Sequence, residues 1–188
     1  AAARADQAAR LPRAVRWGDF LARGEAAPEQ FARLPFDHPL YIMYSSGTTG
    51  LPKCMVHGAG GTLLQHLKEH QLHLDLRADE RIFYFTTCGW MMWNWLVSAL
   101  GTGATVVLYD GAPLPEANPS VLWDLAAEER VAVFGTSAKY LAMAEKSGLV
   151  PARTHDLSAL RTICSTGSPL AEHSYDYVIG DVKPGVQL

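Results

Sequence analysis

From residue 82 onward the chain alternates short apolar runs with longer amphipathic ones, and that alternation restricts the fold more than any other feature. Runs of four to six residues at 82–86, 104–109, 131–134 and 160–164 are too short for helices and rich in Val, Ile, Leu and Phe. Between them, 90–100, 121–129 and 137–147 carry apolar residues at helical spacing. Buried strands joined by crossover helices can pair only in parallel, so this stretch predicts βαβ units in a layered α/β/α architecture with mainly parallel strands. Ligands in such sheets bind at the carboxyl ends of the strands. Three loops expected there, 86–90, 135–137 and 165–169, are rich in small hydroxyl residues.

The first third reads differently. Apolar residues at Val15, Trp17, Phe20, Leu21, Phe31 and Leu34, interrupted by Gly24 and Pro28, suggest two short helices around a turn. Residues 40–44 and 54–57 read as the two arms of a hairpin, and 60–76 as a helix. Neither a repeat nor a low-complexity tract is visible. Residues 36–188 are expected to form one compact domain, with 1–35 as a peripheral segment.

Composition excludes several functions. With 48% apolar residues, 16 basic against 19 acidic side chains and a net charge of −3, the chain is that of an ordinary globular protein without a blanket of positive charge. Binding to nucleic acid or to an anionic membrane by bulk electrostatics is not expected. Cys54, Cys88 and Cys164 are odd in number and far apart, which suits free thiols in a reducing compartment and points to the cytoplasm. No apolar run is long enough for a membrane span, and the Ala- and Arg-rich start lacks a signal-like apolar stretch. That start reads as the cut edge of a larger protein. His66, His70 and His73 share the spacing of one helix face, but without an HExxH pattern or a cysteine cluster they are read as a solvated or partly buried face, and no metal site is assigned.

The hairpin tip carries the chemistry. Ser45, Ser46, Gly47, Thr48, Thr49 and Gly50 lead through Leu51 and Pro52 to Lys53, with five glycines or hydroxyl residues in succession at 46–50. Glycines let backbone N–H groups approach an anion, hydroxyls add donors without bulk, and lysine supplies a mobile positive charge. A bare turn needs far fewer such residues. Pro52 before Lys53 and Cys54 after it rule out a Walker loop. The run is read as a cradle for the phosphates of ATP. No G-x-S-x-G is present, which argues against a serine hydrolase.

The Ser-Gly-Thr-Thr-Gly-Leu-Pro-Lys run after an apolar strand resembles the phosphate loop of the adenylate-forming superfamily, which includes the acyl-CoA synthetases. Residues 36–40 (Phe-Asp-His-Pro-Leu), 89–95 (Gly-Trp-Met-Met-Trp-Asn-Trp), 108–111 (Leu-Tyr-Asp-Gly) and 165–170 (Ser-Thr-Gly-Ser-Pro-Leu) narrow the likeness to its acetoacetyl-CoA synthetase branch. The resemblance implies ATP with Mg²⁺, CoA as co-substrate, and a small carboxylate that becomes an acyl-adenylate and then a thioester. It places adenine against Gly167, Ser168 and Pro169, and the acyl or CoA pocket at Trp90, Met91, Met92 and Ser137. Ser168 with Pro169 could equally start a helix, and Thr136 and Ser137 could cap one. Asn94 could hydrogen-bond inside the pocket or serve only its helix. Three tryptophans and two methionines within 90–95 exceed what one helix face buries, so some must face a cavity or partner. No catalytic residue is assignable. The resemblance puts the ribose-binding aspartate, the magnesium segment and the catalytic lysine beyond Leu188, in the remainder of the polypeptide, and the fragment alone is expected to be silent. The alternatives are a non-catalytic nucleotide-binding module and an adenylating enzyme for another carboxylate.

Overall fold

The computed structural model describes residues 12–24, 30–45 and 50–188. The chain divides into two units, 1–34 and 35–188. The described part of the first unit holds one helical turn, α1 (Trp17–Leu21), in which Trp17 stacks on Phe20 at 5.7 Å. Residues 30–34 are not helical, contrary to the expected second helix; Leu34 precedes Pro35, a position where the helical conformation is disfavoured. The rest of that expectation falls on 25–29, outside the described residues.

The second unit opens with the expected hairpin. Strands β1 (Pro39–Ser45) and β2 (Lys53–Gly58) pair antiparallel, with Ser45 opposite Lys53, Tyr44 opposite Cys54 and Met43 opposite Met55. Helix α2 (Ala59–Lys68) follows without a break. Its first N–H groups have no side-chain cap; Ala59 donates instead to the His38 carbonyl and Gly60 to that of Phe36, each at 2.8 Å. A Cβ on Gly60 would lie 2.1 Å from the Phe36 ring, so a side chain at the entry to α2 would have to displace that ring.

The helix expected to reach Leu76 stops at Lys68 and widens into a five-residue turn, Glu69–His73, closed by a Leu74 N–H bond to the Glu69 carbonyl at 3.1 Å. His70 is fully buried within it, with Nε2 3.0 Å from the Trp95 carbonyl and 3.1 Å from Ser98 Oγ. The three histidines therefore do not form one solvated face. His73 is exposed, His66 half-buried and His70 part of the interior.

Four strands form the main sheet: β3 (Arg81–Tyr84), β4 (Thr105–Val107), β5 (Val133–Ser137) and β6 (Thr162–Thr166). They lie in the order β4-β3-β5-β6 and all pair in parallel, as the alternation predicts. Alternate side chains go to opposite faces. On one, Ile82 and Tyr84 meet Trp95, Leu96 and Ala99 from α3 (Met91–Ser98) and the turn after it. On the other, Phe83 and Phe134 meet Leu122 and Trp123 of α4 (Val121–Glu128) and Leu141 of α5 (Ala138–Lys146). Trp123 stacks on Phe134 with ring centres 4.7 Å apart. Phe83, Phe134, Leu122 and Leu141 are essentially inaccessible, and burial of each such side chain contributes about 1.5–3 kcal/mol. Short helices α6 (Pro151–Thr154) and α7 (Glu172–Tyr177) complete the unit.

Several boundaries differ from the sequence reading for one reason: apolar runs mark burial, whereas strand limits follow the hydrogen-bond ladder. Pairs Thr136 with Ser165 and Ser137 with Thr166 continue the ladder past the apolar runs, so 135–137 and 165–166 are strand rather than loop. Val131 and Ala132 are buried but precede β5, after a turn in which Arg130 has φ 49°. Strand β4 spans only Thr105–Val107 of the expected 104–109, and β3 ends at Tyr84. Helix α3 begins at Met91 with Trp90 as its cap residue, and gives way to a tighter turn at Ala99–Thr102.

Ser168 and Pro169 do not start a helix. Gly167 adopts φ 93°, a left-handed value suited to glycine, and α7 waits until Glu172, after Leu170 has packed against the core. Ser137 does cap: its Oγ accepts the Tyr140 N–H at 3.1 Å. Residue 187 rejoins the sheet beside β6, where the Ile163 N–H donates to the Gln187 carbonyl at 2.8 Å.

Candidate active site

The carboxyl ends of β3, β5 and β6 lie at one edge of the sheet, and a cavity of about 540 Å³ opens there. Its walls come from four places: Tyr41, Met43, Tyr44, Met55 and His57 of the hairpin; Thr62, Gln65, His66 and Glu69 of α2 and its turn; Met91, Met92, Asn94 and Trp95 of α3; and Tyr84 with Cys164, Ser165 and Thr166 at the strand ends. The wall mixes aromatic and methionine side chains with polar ones, as small-molecule sites commonly do.

Close packing sets the wall at Tyr84. Its ring lies across β5 where Gly135 has no side chain; a Cβ there would sit 2.0 Å from the ring. The hydroxyl donates to the Thr136 carbonyl at 3.2 Å, and burial raises its pKa well above the ordinary tyrosine value. Burial also pushes the Cys164 thiol up to about 11, so it stays protonated at neutral pH. On α3, Trp95 donates its indole N–H to Glu69 Oε2 at 2.7 Å, and Gln65 Nε2 donates to Oε1 at 2.5 Å. Asn94 Nδ2 contacts Met43 Sδ at 3.3 Å, which ties α3 to the hairpin.

Of the residues expected to bind phosphate, Ser45 and Lys53 form the last pair of the hairpin ladder, and Lys53 and Gly50 are exposed. Ser46, Gly47, Thr48 and Thr49 lie outside the described residues. Met91 and Met92 line the cavity. Trp90 does not; it is 59% exposed at the start of α3. Ser137 is engaged as the α5 cap and is not part of the wall. Gly167, Ser168 and Pro169 are exposed and follow directly on the wall residue Thr166. Thr86, Thr87 and Cys88 face a second cavity of about 460 Å³, with Trp93, Tyr109 and Asp110. Among the described residues, no group of three His, Cys, Asp or Glu side chains is placed to hold a metal ion.

Sequence reasoning missed Tyr84, Gln65, His66 and Glu69 as cavity residues, whereas Ser165 and Thr166 fall in the 165–169 segment expected at a strand end. Tyr84 sits at the end of a strand, which offered a signal. Gln65 and Glu69 looked like ordinary polar helix positions.

The same cavity holds the methionines of the 89–95 run and the end of the strand leading to Gly167, and residues 3–181 match the family of AMP-binding enzymes. The chain belongs to that family. Among related AMP-binding enzymes, acetoacetyl-coenzyme A synthetase of Rhizobium meliloti (strain 1021) is 63% identical over 175 residues, which is 93% of this chain and 27% of that protein. Malonamoyl-CoA synthetase vrtB of Penicillium aethiopicum is 46% identical over 176 residues, 86% of this chain and 24% of that protein. The solved structure of acetoacetyl-CoA synthetase from Streptomyces lividans superposes with a TM-score of 0.80 at 43% identity, covering 92% of this chain and 26% of that one. The chain thus spans about a quarter of the length of these AMP-binding relatives.

Proposed function

We propose that the chain is part of an ATP-dependent acid–thiol ligase whose acid is acetoacetate. A carboxylate oxygen attacks the α-phosphorus of ATP, breaking its bond to the bridging oxygen and releasing pyrophosphate. The CoA thiolate then attacks the acyl carbon of the adenylate and AMP leaves with the C–O bond electrons. Lys53 and the hydroxyl-rich tip offset the charge of the departing phosphates and hold them in line. The acyl chain lies in the cavity lined by Met91, Met92, Tyr84 and Thr166.

One observation carries this reading: a single cavity at the strand ends is walled both by the Met91–Met92 pair and by the hairpin that carries Lys53 at its tip. Magnesium would accompany ATP, with ligands outside the described residues. The remainder of the polypeptide is the expected partner and the cytoplasm the expected location. Among the described residues no helix is long and apolar enough to cross a membrane.

A second reading is supported by the malonamoyl-CoA synthetase likeness. Malonamate and acetoacetate share a carbonyl two carbons from the carboxyl carbon and differ only in the group beyond it, amine or methyl. The test is acid-dependent exchange of labelled pyrophosphate into ATP by the full-length protein, with the two acids in parallel. Exchange with acetoacetate supports the first reading, and exchange with malonamate alone replaces it by the second. ATP binding without exchange for any acid would leave a non-catalytic nucleotide-binding module.

A further inference from the structure

Besides the methionines, the cavity wall includes a polar group from α2 and the turn after it, Gln65, His66 and Glu69. The carboxylate there is fixed: Gln65 holds one oxygen and the Trp95 indole the other, while Lys68 Nζ donates to Gln65 Oε1 at 3.1 Å. His66 is not satisfied in this way. Its Nδ1 is buried and has no hydrogen-bond partner among the described residues. Burial holds the ring below its ordinary pKa, outweighing the opposing pull of Glu69, so at neutral pH it carries no charge and one N–H.

Nδ1 is shut off from the cavity and has no acceptor among the described residues, so the proton is better placed on Nε2, and a neutral imidazole presenting that N–H on a largely apolar wall is matched to an uncharged oxygen of the ligand. The adjacent Glu69 charge bears on orientation. It repels the carboxylate of an incoming acid, so an acid bound beside it turns its neutral end toward His66. A ketone oxygen two carbons from the carboxyl carbon is the group such a wall would read, and it is the group common to both candidate acids.

We propose that His66 is a specificity-determining residue that donates its Nε2–H to the 3-oxo oxygen of the acyl substrate. This rests on the ligase reading above. It is tested in the full-length protein by pyrophosphate exchange with acetoacetate and with butyrate, in which a methylene replaces the carbonyl. Loss of one neutral hydrogen bond should lower the acetoacetate-to-butyrate ratio of kcat/KM about tenfold in His66→Ala, while His66→Asn, which keeps an N–H donor, retains most of it. If alanine does not fold, as judged by thermal melting, His66→Leu serves the same comparison. An unchanged ratio, equal losses for both acids, or asparagine behaving like alanine would overturn the proposal with the ligase reading intact. Wild-type protein that fails to use acetoacetate would instead remove the ligase reading and the proposal with it.

Discussion

At Gly135 the absence of a side chain shapes the cavity. A methyl group 2.0 Å from the Tyr84 ring cannot be accommodated by small shifts, and Tyr84 is tied by its hydroxyl to the Thr136 carbonyl. Gly135→Ala is expected to destabilise the fold by about 1–3 kcal/mol, as overpacking does, and to alter acid selectivity in the full-length enzyme. Thermal melts and exchange assays measure the two effects. Lys53 is the opposite case, exposed and at the hairpin tip. Lys53→Ala should leave the melting temperature unchanged and lower kcat/KM for ATP at least about tenfold, the effect of losing one charged phosphate contact. Met91 and Met92 were legible because the 90–95 run overfills one helix face. His66 and Glu69 were not, since their meaning comes from a cavity and from Trp95, 26 residues after Glu69.

Among the elements, the wide turn after α2 shows what a helical pattern leaves out. The leucine spacing of 60–76 is compatible with one helix, yet the turn at Glu69–His73 interrupts it and carries His70 inside, 4.2 Å from Trp95 ring to ring. His70→Ala removes a fully buried ring and its bonds to Trp95 and Ser98, at an expected cost of about 3 kcal/mol by chemical denaturation. Burial depresses the folded-state pKa of His70 below 6.5, against the Trp95 carbonyl, which favours the charged form. Protonation therefore favours the unfolded chain. The contribution is fully present above pH 6.5 and is lost as pH falls through the lower folded value, and the alanine variant should lack that dependence. The strands tell a similar story. Their existence and parallel order could be read from apolar runs, but the ends of β5 and β6 depend on which partner each residue finds across the sheet.

On the scale of the whole second unit, remote segments are joined by a few ionic ties. Arg161, just before β6, makes two hydrogen bonds to Glu80, through Nε at 2.7 Å and Nη2 at 2.6 Å, and also donates to the carbonyls of Leu74 and Asp75. Burial opposes ionisation of Glu80, but hydrogen bonds from Arg161 and the Arg77 N–H outweigh it and hold the carboxyl below its usual 4.5. The resulting stabilisation is present above pH 4.5 and is lost as pH falls through the depressed folded value. Because the pair is only partly buried, Arg161→Met should cost about 1–2 kcal/mol at pH 7 and flatten the acid limb of a stability-against-pH profile. Such ties span 81 residues and leave no local periodicity, so the sequence does not announce them. The hairpin joins two places of another kind. Lys53 and Ser45 close one end of a ladder whose flank, Met43 and Met55, borders the cavity. Because both stand on one paired ribbon, whatever breaks its rungs disturbs the tip and the chamber together.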